Sequence, residues 1–102
     1  VNKDKFALMK RSSILINTSR GSVVDETALI EAISGGLIAG AGIDVFENEP
    51  VDADNPLLGF SNVVSTPHMA GTTWDTWRRR AEFGFENMDL VLQGKSPISI
   101  VN

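Results

Sequence analysis

The sequence predicts an α/β fold with about three parallel strands flanked by helices. Short apolar segments alternate along the chain with segments of helical periodicity. The first of these strand candidates is apolar without polar alternation, which is typical of a strand covered on both faces in a parallel sheet. Turn-forming residues follow most of the segments. The predicted order is therefore α-β-α-β-loop-β-α, with right-handed crossovers between the strands.

The chain opens with a helix and a strand. Residues 3–10 have the spacing of a short helix, with Phe6, Met9 and Ala7 on one side. The continuous apolar run at 14–16 predicts the first strand, and the turn-forming residues that follow end it.

Asp25 is the expected N-cap of a second helix, because its short carboxylate can accept from the free amides of a first turn. Gly35 and Gly36 should end this helix, since glycine readily takes the left-handed conformation there. The residues expected on its apolar face are Ala28, Leu29, Ala32 and Ile33.

Two more strands are expected in the second half. The segment 37–46 contains a strand at about 40–45, and its small residues 39–42 would let a helix pack closely on it. An acidic, proline-containing loop at 47–60 leads to the third strand at 63–66.

A long helix follows the third strand. Thr72 or Thr73 is the expected N-cap, with Asp75 completing a capping box with Thr72. Gly94 ends the helix and Pro97 bars its continuation. Its apolar stripe consists of Trp77, Ala81, Phe85, Met88 and Leu92. Part of a helix this long should pack on something outside these residues.

Composition excludes several classes of function. The 102 residues carry a net charge of −4 and no cysteine, so we expect one domain, no nucleic-acid partner and no thiol chemistry. There is no run of about 18 apolar residues for a membrane span, and a cytoplasmic setting is expected. No metal site is expected, since a calcium loop counted from Asp52 has Leu57 where glycine is needed.

Each predicted strand is followed by residues that can do chemistry. Arg20 follows the first strand, Asp44 and Glu49 the second, and His68 the third. Because parallel strands end at one edge, an arginine, a carboxylate and the only histidine should meet there. Arg20 suits a carboxylate or carbonyl oxygen, and His68 can exchange a proton near neutral pH. Either carboxylate could orient the imidazole ring.

Each of these residues has a simpler explanation when it is taken alone. A single loop histidine is commonly a surface residue, an Arg-Gly turn is commonly solvated, and Asp44 and Glu47 could be exposed acids at a strand end. The aromatic stripe of the last helix is better explained by packing than by base stacking, given the acidic net charge. Their joint placement at three strand ends favours an enzyme.

Three motifs carry a resemblance to a known family. They are Asn17–Asp25 (NTSRGSVVD), Asp44–Pro50 (DVFENEP) and Thr66–Thr73 (TPHMAGTT), in that order. Together they closely resemble the D-isomer-specific 2-hydroxyacid dehydrogenases. This family includes D-glycerate/hydroxypyruvate and glyoxylate reductases, D-3-phosphoglycerate dehydrogenases and formate dehydrogenase. The resemblance covers about residues 3–102 and implies a partial Rossmann-type three-layer unit.

The resemblance also implies roles for individual residues. Arg20 would bind the substrate's carboxylate and carbonyl, His68 would be the general acid/base, and Glu49 would support His68. Formate dehydrogenases have glutamine in place of Glu49, so a hydroxyacid substrate is favoured over formate. The cofactor, NAD or NADP, would contact Thr18, Ser19, Arg20, Asp44, His68 and Gly71, with Asp44 at the nicotinamide carboxamide.

Some of the family's parts are absent from the sequence. The turn G-x-G-x-x-G, which holds the pyrophosphate, does not occur, and neither does a separate substrate domain. We therefore expect a C-terminal fragment, with 1–93 as half of a cofactor-binding domain and 94–102 as a tail toward the substrate domain. The alternative is a non-catalytic folded fragment or interaction module. The exposed apolar stripe predicts a homo-oligomer.

Overall fold

The computed structural model describes residues 1–100, and the expected order α-β-α-β-loop-β-α is confirmed. The chain divides into two compact units, Val1–Ala70 and Gly71–Asn102. The last two residues of the expected tail, 101 and 102, lie outside the described residues. The helices and strands are α1 Lys3–Ala7, β1 Ile14–Asn17, α2 Glu26–Ser34, β2 Gly40–Ile43, β3 Val63–Ser65 and α3 Trp74–Leu92.

The first unit is built on a parallel sheet in the order β1-β2-β3. Asn17 pairs with Ile43 and Ile43 pairs with Ser65, so the carboxyl ends of the three strands are in register. The loops that carry the candidate site residues of this unit therefore leave the same edge of the sheet.

An apolar core fills the space between the sheet and the first two helices. Phe6 of α1 and Leu29 of α2 are each 1% exposed and belong to the same cluster as Ile43 of β2. Leu57 joins this cluster from a short 3-10 helix, Pro56–Gly59, in the loop before β3. This core gives the site edge a fixed support on one face of the sheet.

The expectation that β1 is covered on both faces is wrong for the described residues. Ile14 is 64% exposed and Ile16 is 72% exposed, and Val64 of β3 is 69% exposed. An apolar run predicts that a strand can be covered on both sides, but it does not contain the element that would cover the second side.

The ends of α2 follow the sequence prediction closely. Asp25 accepts from the amide of Ala28 at 2.9 Å. Gly36 has a φ of 64°, and the Leu37 amide donates back to the Ala32 carbonyl at 2.9 Å, which closes the last turn. The four apolar residues expected on this helix are all buried.

The other two helices differ in detail from the prediction. Helix α1 ends at Ala7, which is exposed and does not share the buried side of Phe6. Helix α3 is capped by Thr73, whose hydroxyl accepts from the Thr76 amide at 3.1 Å. The capping box expected from Thr72 is therefore wrong, because a Thr73 cap puts Thr76 and not Asp75 at its third position.

No residue of α3 is buried, and its expected apolar stripe includes Trp77 at 57% and Phe85 at 65% exposure. Within residues 1–100, no helix combines the length and the apolar character that crossing a membrane requires.

Candidate functional site

The turn after β1 is organised by Asn17. Asn17 is 5% exposed, and its Nδ2 donates to the Arg20 carbonyl at 3.0 Å. Its Oδ1 accepts from the amide and the hydroxyl of Ser19 at 3.2 and 3.1 Å. The Arg20 side chain is thereby attached to a fixed turn. Within residues 1–100, its guanidinium makes one hydrogen bond, to the Ser19 carbonyl at 2.6 Å.

Gly21 lets this turn approach the loop after β2. A Cβ atom placed on Gly21 would lie 1.9 Å from the carbonyl oxygen of Phe46 and 2.5 Å from the amide nitrogen of Glu47. The atoms that a Cβ would meet belong to the backbone, so rotating a side chain could not relieve the clash. The absence of a side chain at Gly21 thus sets the spacing between the Arg20 turn and the loop that carries Glu49.

Glu49 and His68 are brought together by the structure. The His68 Nδ1 atom lies 2.8 Å from one carboxylate oxygen of Glu49, and the other oxygen accepts from the Phe46 amide at 3.0 Å. The hydrogen bond from His68, followed by the one from Phe46, holds the pKa of Glu49 below its ordinary value. Of the two carboxylates considered for this position, Glu49 is the one that contacts the ring.

The ionised Glu49 determines the arrangement of protons on the imidazole. An ionised carboxylate can only accept hydrogen bonds, so the proton between the two groups is on Nδ1. In the neutral ring the other nitrogen, Nε2, then carries a lone pair and can take up a proton. The pair therefore presents one defined nitrogen for proton exchange.

The loop that carries Glu49 is tied to the start of α2 by Glu26. One carboxylate oxygen of Glu26 accepts from the Glu47 amide at 3.0 Å, and the other accepts from the Asn55 side chain at 2.6 Å. Sequence reasoning missed this role. A glutamate is common in the first turn of a helix, because it interacts favourably with the helix dipole. The sequence pattern therefore does not reveal that this glutamate also binds a distant loop.

Asp44 is buried at the end of β2, with 4% of its surface exposed, and its partners lie in the loop that carries His68. Its carboxylate accepts from the Thr66 hydroxyl at 2.5 Å, the Met69 amide at 2.8 Å and the Ala70 amide at 2.9 Å. The hydroxyl bond from Thr66 is the largest cause that lowers the pKa of Asp44, and the two amides add to it. Asp44 is therefore an ionised acceptor inside the fold.

The backbone of His68 is left-handed, with a φ of 51°. This region is uncommon for residues other than glycine, although histidine enters it more readily than bulky or β-branched residues do. Such conformations persist where surrounding contacts hold them, and they cluster at functional sites. The imidazole remains accessible, since half of the His68 side chain, 51%, is exposed.

Two cavities adjoin the Glu49–His68 pair. The smaller, about 230 Å³, is lined by Arg20, Glu49 and His68 together, so all three predicted catalytic residues share it. The larger, about 610 Å³, also borders this pair but has an apolar wall that includes Val51 and Leu58. The smaller cavity combines a cation with a proton-exchanging ring, which suits a small anionic molecule that bears a carbonyl or hydroxyl group.

The remaining predicted cofactor residues are Thr18, Ser19, Asp44 and Gly71. Thr18 and Ser19 are exposed on the turn before Arg20, and Gly71 begins the second compact unit. Asp44 has both carboxylate oxygens engaged within the first unit.

A family description matches most of this chain. Residues 1–70 match the D-isomer specific 2-hydroxyacid dehydrogenase, NAD binding domain. These residues include the whole sheet and the three predicted catalytic residues, Arg20, Glu49 and His68, and they coincide with the first compact unit.

Curated relatives and solved structures agree with this family. The chain is 47% identical over 102 residues to a glyoxylate reductase of Korarchaeum cryptofilum, and 48% identical over 99 residues to glyoxylate/hydroxypyruvate reductase B of Escherichia coli. The matches cover 100% and 97% of this chain, but only 31% of each relative, so the chain spans about a third of their length.

Two solved structures have the same fold. An NADPH-dependent glyoxylate/hydroxypyruvate reductase of Sinorhizobium meliloti, in complex with citrate, has a TM-score of 0.84 and 39% identity, over 99% of this chain and 32% of its own. D-lactate dehydrogenase of Lactobacillus jensenii, with NAD+, has a TM-score of 0.85 and 33% identity, over 100% of this chain and 34% of its own. This chain belongs to the NAD-binding-domain family of the D-isomer specific 2-hydroxyacid dehydrogenases.

Proposed function

We propose that this chain carries the acid/base half of an NAD(P)-dependent oxidoreductase that interconverts a small 2-keto acid and a D-2-hydroxy acid. The observation that carries the proposal is the Glu49–His68 pair in a cavity shared with Arg20. The family match and the activities for which the relatives are named, glyoxylate and hydroxypyruvate reduction, support the same chemistry.

Each of the three side chains has one task in this proposal. Arg20 binds the substrate carboxylate and polarises the carbonyl oxygen, because its planar guanidinium has further donors besides the one that bonds to Ser19 among the described residues. His68 gives its Nε2 proton to that oxygen during reduction and takes it back during oxidation. Glu49 keeps the ring oriented with Nδ1 protonated.

The proposed cofactor is NAD or NADP. The nicotinamide supplies and accepts the hydride at the substrate's C2 when it is bound. The exposed turn of Thr18, Ser19 and Arg20 fits this end of the cofactor, with backbone and hydroxyl groups open at the carboxyl edge of the sheet. Both cofactors remain in the proposal, because one similar structure is described as NADPH-dependent and another contains NAD+.

The test is the substitution His68→Ala in the full-length protein, with glyoxylate and hydroxypyruvate as substrates and both reduced cofactors. Loss of the proton donor should lower kcat by about 100-fold or more. The control is Asp54→Asn, an exposed acid in the loop before β3, which should retain wild-type turnover. Turnover of His68→Ala near that of the wild type would refute the proton-carrier role.

We also propose that the protein is a homo-oligomer, that residues 1–93 are the C-terminal half of the cofactor-binding domain, and that 94–102 lead toward a substrate domain. The oligomer proposal is supported by the exposed Trp77, Phe85 and Met88 on α3. Sedimentation at high concentration tests it, and a mass of 11.0 kDa for this chain would contradict it.

A further inference from the structure

One buried residue, Asp44, makes most of the hydrogen bonds that attach the loop carrying His68 to the edge of the sheet. Asp44 donates its amide to the Asn17 carbonyl at 3.0 Å and accepts the His68 amide on its own carbonyl at 2.8 Å. Its carboxylate accepts three further bonds from Thr66, Met69 and Ala70. The end of β1, the end of β2 and the His68 loop are thus joined at Asp44.

The left-handed backbone of His68 explains why the Met69 and Ala70 amides reach the same carboxylate. A left-handed residue in a short loop turns successive N–H groups toward one point and forms a concave anion site. Here the anion belongs to the protein, because the two amides bind different oxygens of Asp44, at 2.8 and 2.9 Å. The conformation of His68 and the charge of Asp44 therefore depend on each other.

The burial of Asp44 strengthens the link between its charge and the conformation of His68. Asp44 is 4% exposed and forms no salt bridge with a lysine or arginine among the described residues, so its charge is compensated by hydrogen bonds. Without these donors the carboxylate would lose its compensation, and without the carboxylate two loop amides would lose their acceptor.

We propose that Asp44 is the positioning residue of the acid/base group: its carboxylate organises the Thr66–Ala70 loop and fixes the direction of the His68 ring. This inference rests on the proposed role of His68 and gives Asp44 a task other than contact with the cofactor. Asp44 then affects proton transfer indirectly, by holding the loop backbone in place. Glu49 completes the orientation of the His68 ring by binding the ring itself.

The first experiment compares Asp44→Asn with Asp54→Asn in this 102-residue chain, which has a single histidine. We expect faster amide exchange at Met69 and Ala70, and ¹⁵N ring signals of His68 that move toward a mixture of the two tautomers. Asp54→Asn removes the same charge from an exposed site and should leave both measurements unchanged. Unchanged exchange and ring signals in Asp44→Asn would overturn the proposal, whatever the outcome for His68→Ala.

The second experiment measures turnover of the same variants in the full-length protein. Misdirection of His68 should lower kcat by about tenfold to 100-fold and change its pH profile, while KM for the cofactor changes little. A raised KM for the cofactor with unchanged kcat and pH profile would instead identify a direct cofactor contact and overturn the positioning role.

A milder variant keeps the test valid if Asp44→Asn does not fold. Thr66→Val removes one of the three donors and keeps the side-chain shape, so both loop amides retain their acceptor. We expect smaller changes than in Asp44→Asn, in the same directions, for amide exchange at Met69 and Ala70, for the ¹⁵N ring signals of His68 and for kcat. Wild-type values for all three in Thr66→Val, with Asp44→Asn unfolded, would contradict the proposal.

Discussion

At the scale of single residues, His68 meets two requirements that favour different amino acids. Its backbone, at a φ of 51°, would suit glycine or asparagine, whereas proton exchange near neutral pH needs an imidazole. A left-handed conformation costs a non-glycine residue about 1–2 kcal/mol. The hydrogen bonds to Asp44 and Glu49 offset this cost from both sides of the residue, one set through the backbone and one through the ring.

Glu49 makes the stability of the folded chain depend on pH, and the sign of this dependence follows from its pKa. Its pKa is lowered in the folded chain, chiefly by the hydrogen bond from His68, and returns to its ordinary value on unfolding. The stabilisation is therefore fully present above the ordinary glutamate pKa of about 4.3, and is lost as the pH falls through the lower, folded value.

We predict that the stability advantage of the wild type over Glu49→Gln is constant near neutral pH and shrinks below about pH 4. Urea unfolding of both chains across this range measures it. An advantage that grew as the pH fell would mean that folding raises the pKa of Glu49 instead of lowering it.

The residue scale also shows where sequence reasoning stops. A contact between a carboxylate and His68 was predictable, because these residues follow strand ends and suit each other. The residues alone left Asp44 and Glu49 open, and the resemblance favoured Glu49, which makes the contact. The partners of Asp44 were not predictable, because two of its three carboxylate bonds come from backbone amides, which every residue except proline possesses. Asp44 was instead assigned to the cofactor by resemblance.

At the scale of elements, Gly21 controls how closely two functional loops approach. Alanine at this position would place its Cβ 1.9 Å from the Phe46 carbonyl oxygen, so one backbone segment would have to move. The cost should be about 1–3 kcal/mol, as for other overpacked sites. The movement would also separate Arg20 from the Glu49 loop.

The prediction is that Gly21→Ala lowers the free energy of unfolding by this amount, whereas Gly59→Ala does not. Gly59 is the matched control because it lies in the same unit, its φ is not left-handed, and a Cβ there meets nothing within 4 Å. Urea unfolding compares the two variants. Equal stability of both would mean that the loops adjust without cost.

Most helix ends and strand positions were predicted from local signals, and the error at the start of α3 arose where two local signals were equal. Asp25 and Gly36 bound α2 as expected, because the side chain of one and the backbone freedom of the other are distinctive. Thr72 and Thr73 have the same chemistry, and the choice of Thr73 depends on its extended φ and ψ of −123° and 154°. No pattern in the sequence contains that information.

At the scale of the whole molecule, the two units contribute very differently to the apolar core. Every buried apolar side chain among residues 1–100 lies between Phe6 and Leu57, and α3 contributes none. The family match ends at Ala70, which is also where the first unit ends. The apolar stripe of α3 was recognised as helical in the sequence, but the sequence pattern contains no partner for it.

We predict that a chain ending at Ala70 unfolds cooperatively, with a free energy of unfolding within about 1 kcal/mol of the 102-residue chain, since exposed residues contribute little to stability. The measurement is urea unfolding followed by far-ultraviolet circular dichroism. A chain of residues 1–70 that showed no unfolding transition would mean that the second unit is needed for the core.

The shared register of the strand ends determines where the chain can tolerate insertions and deletions of residues. One codon inserted within β2 would turn every later side chain of the strand to the opposite face and move Asp44 away from the Thr66–Ala70 loop. The exposed residues 52–54 lie beyond Glu49 and before the Asn55 bond to Glu26. Insertions and deletions that preserve activity should therefore accumulate at 52–54 and be purged from 40–49, both in natural lineages and in mutagenised libraries.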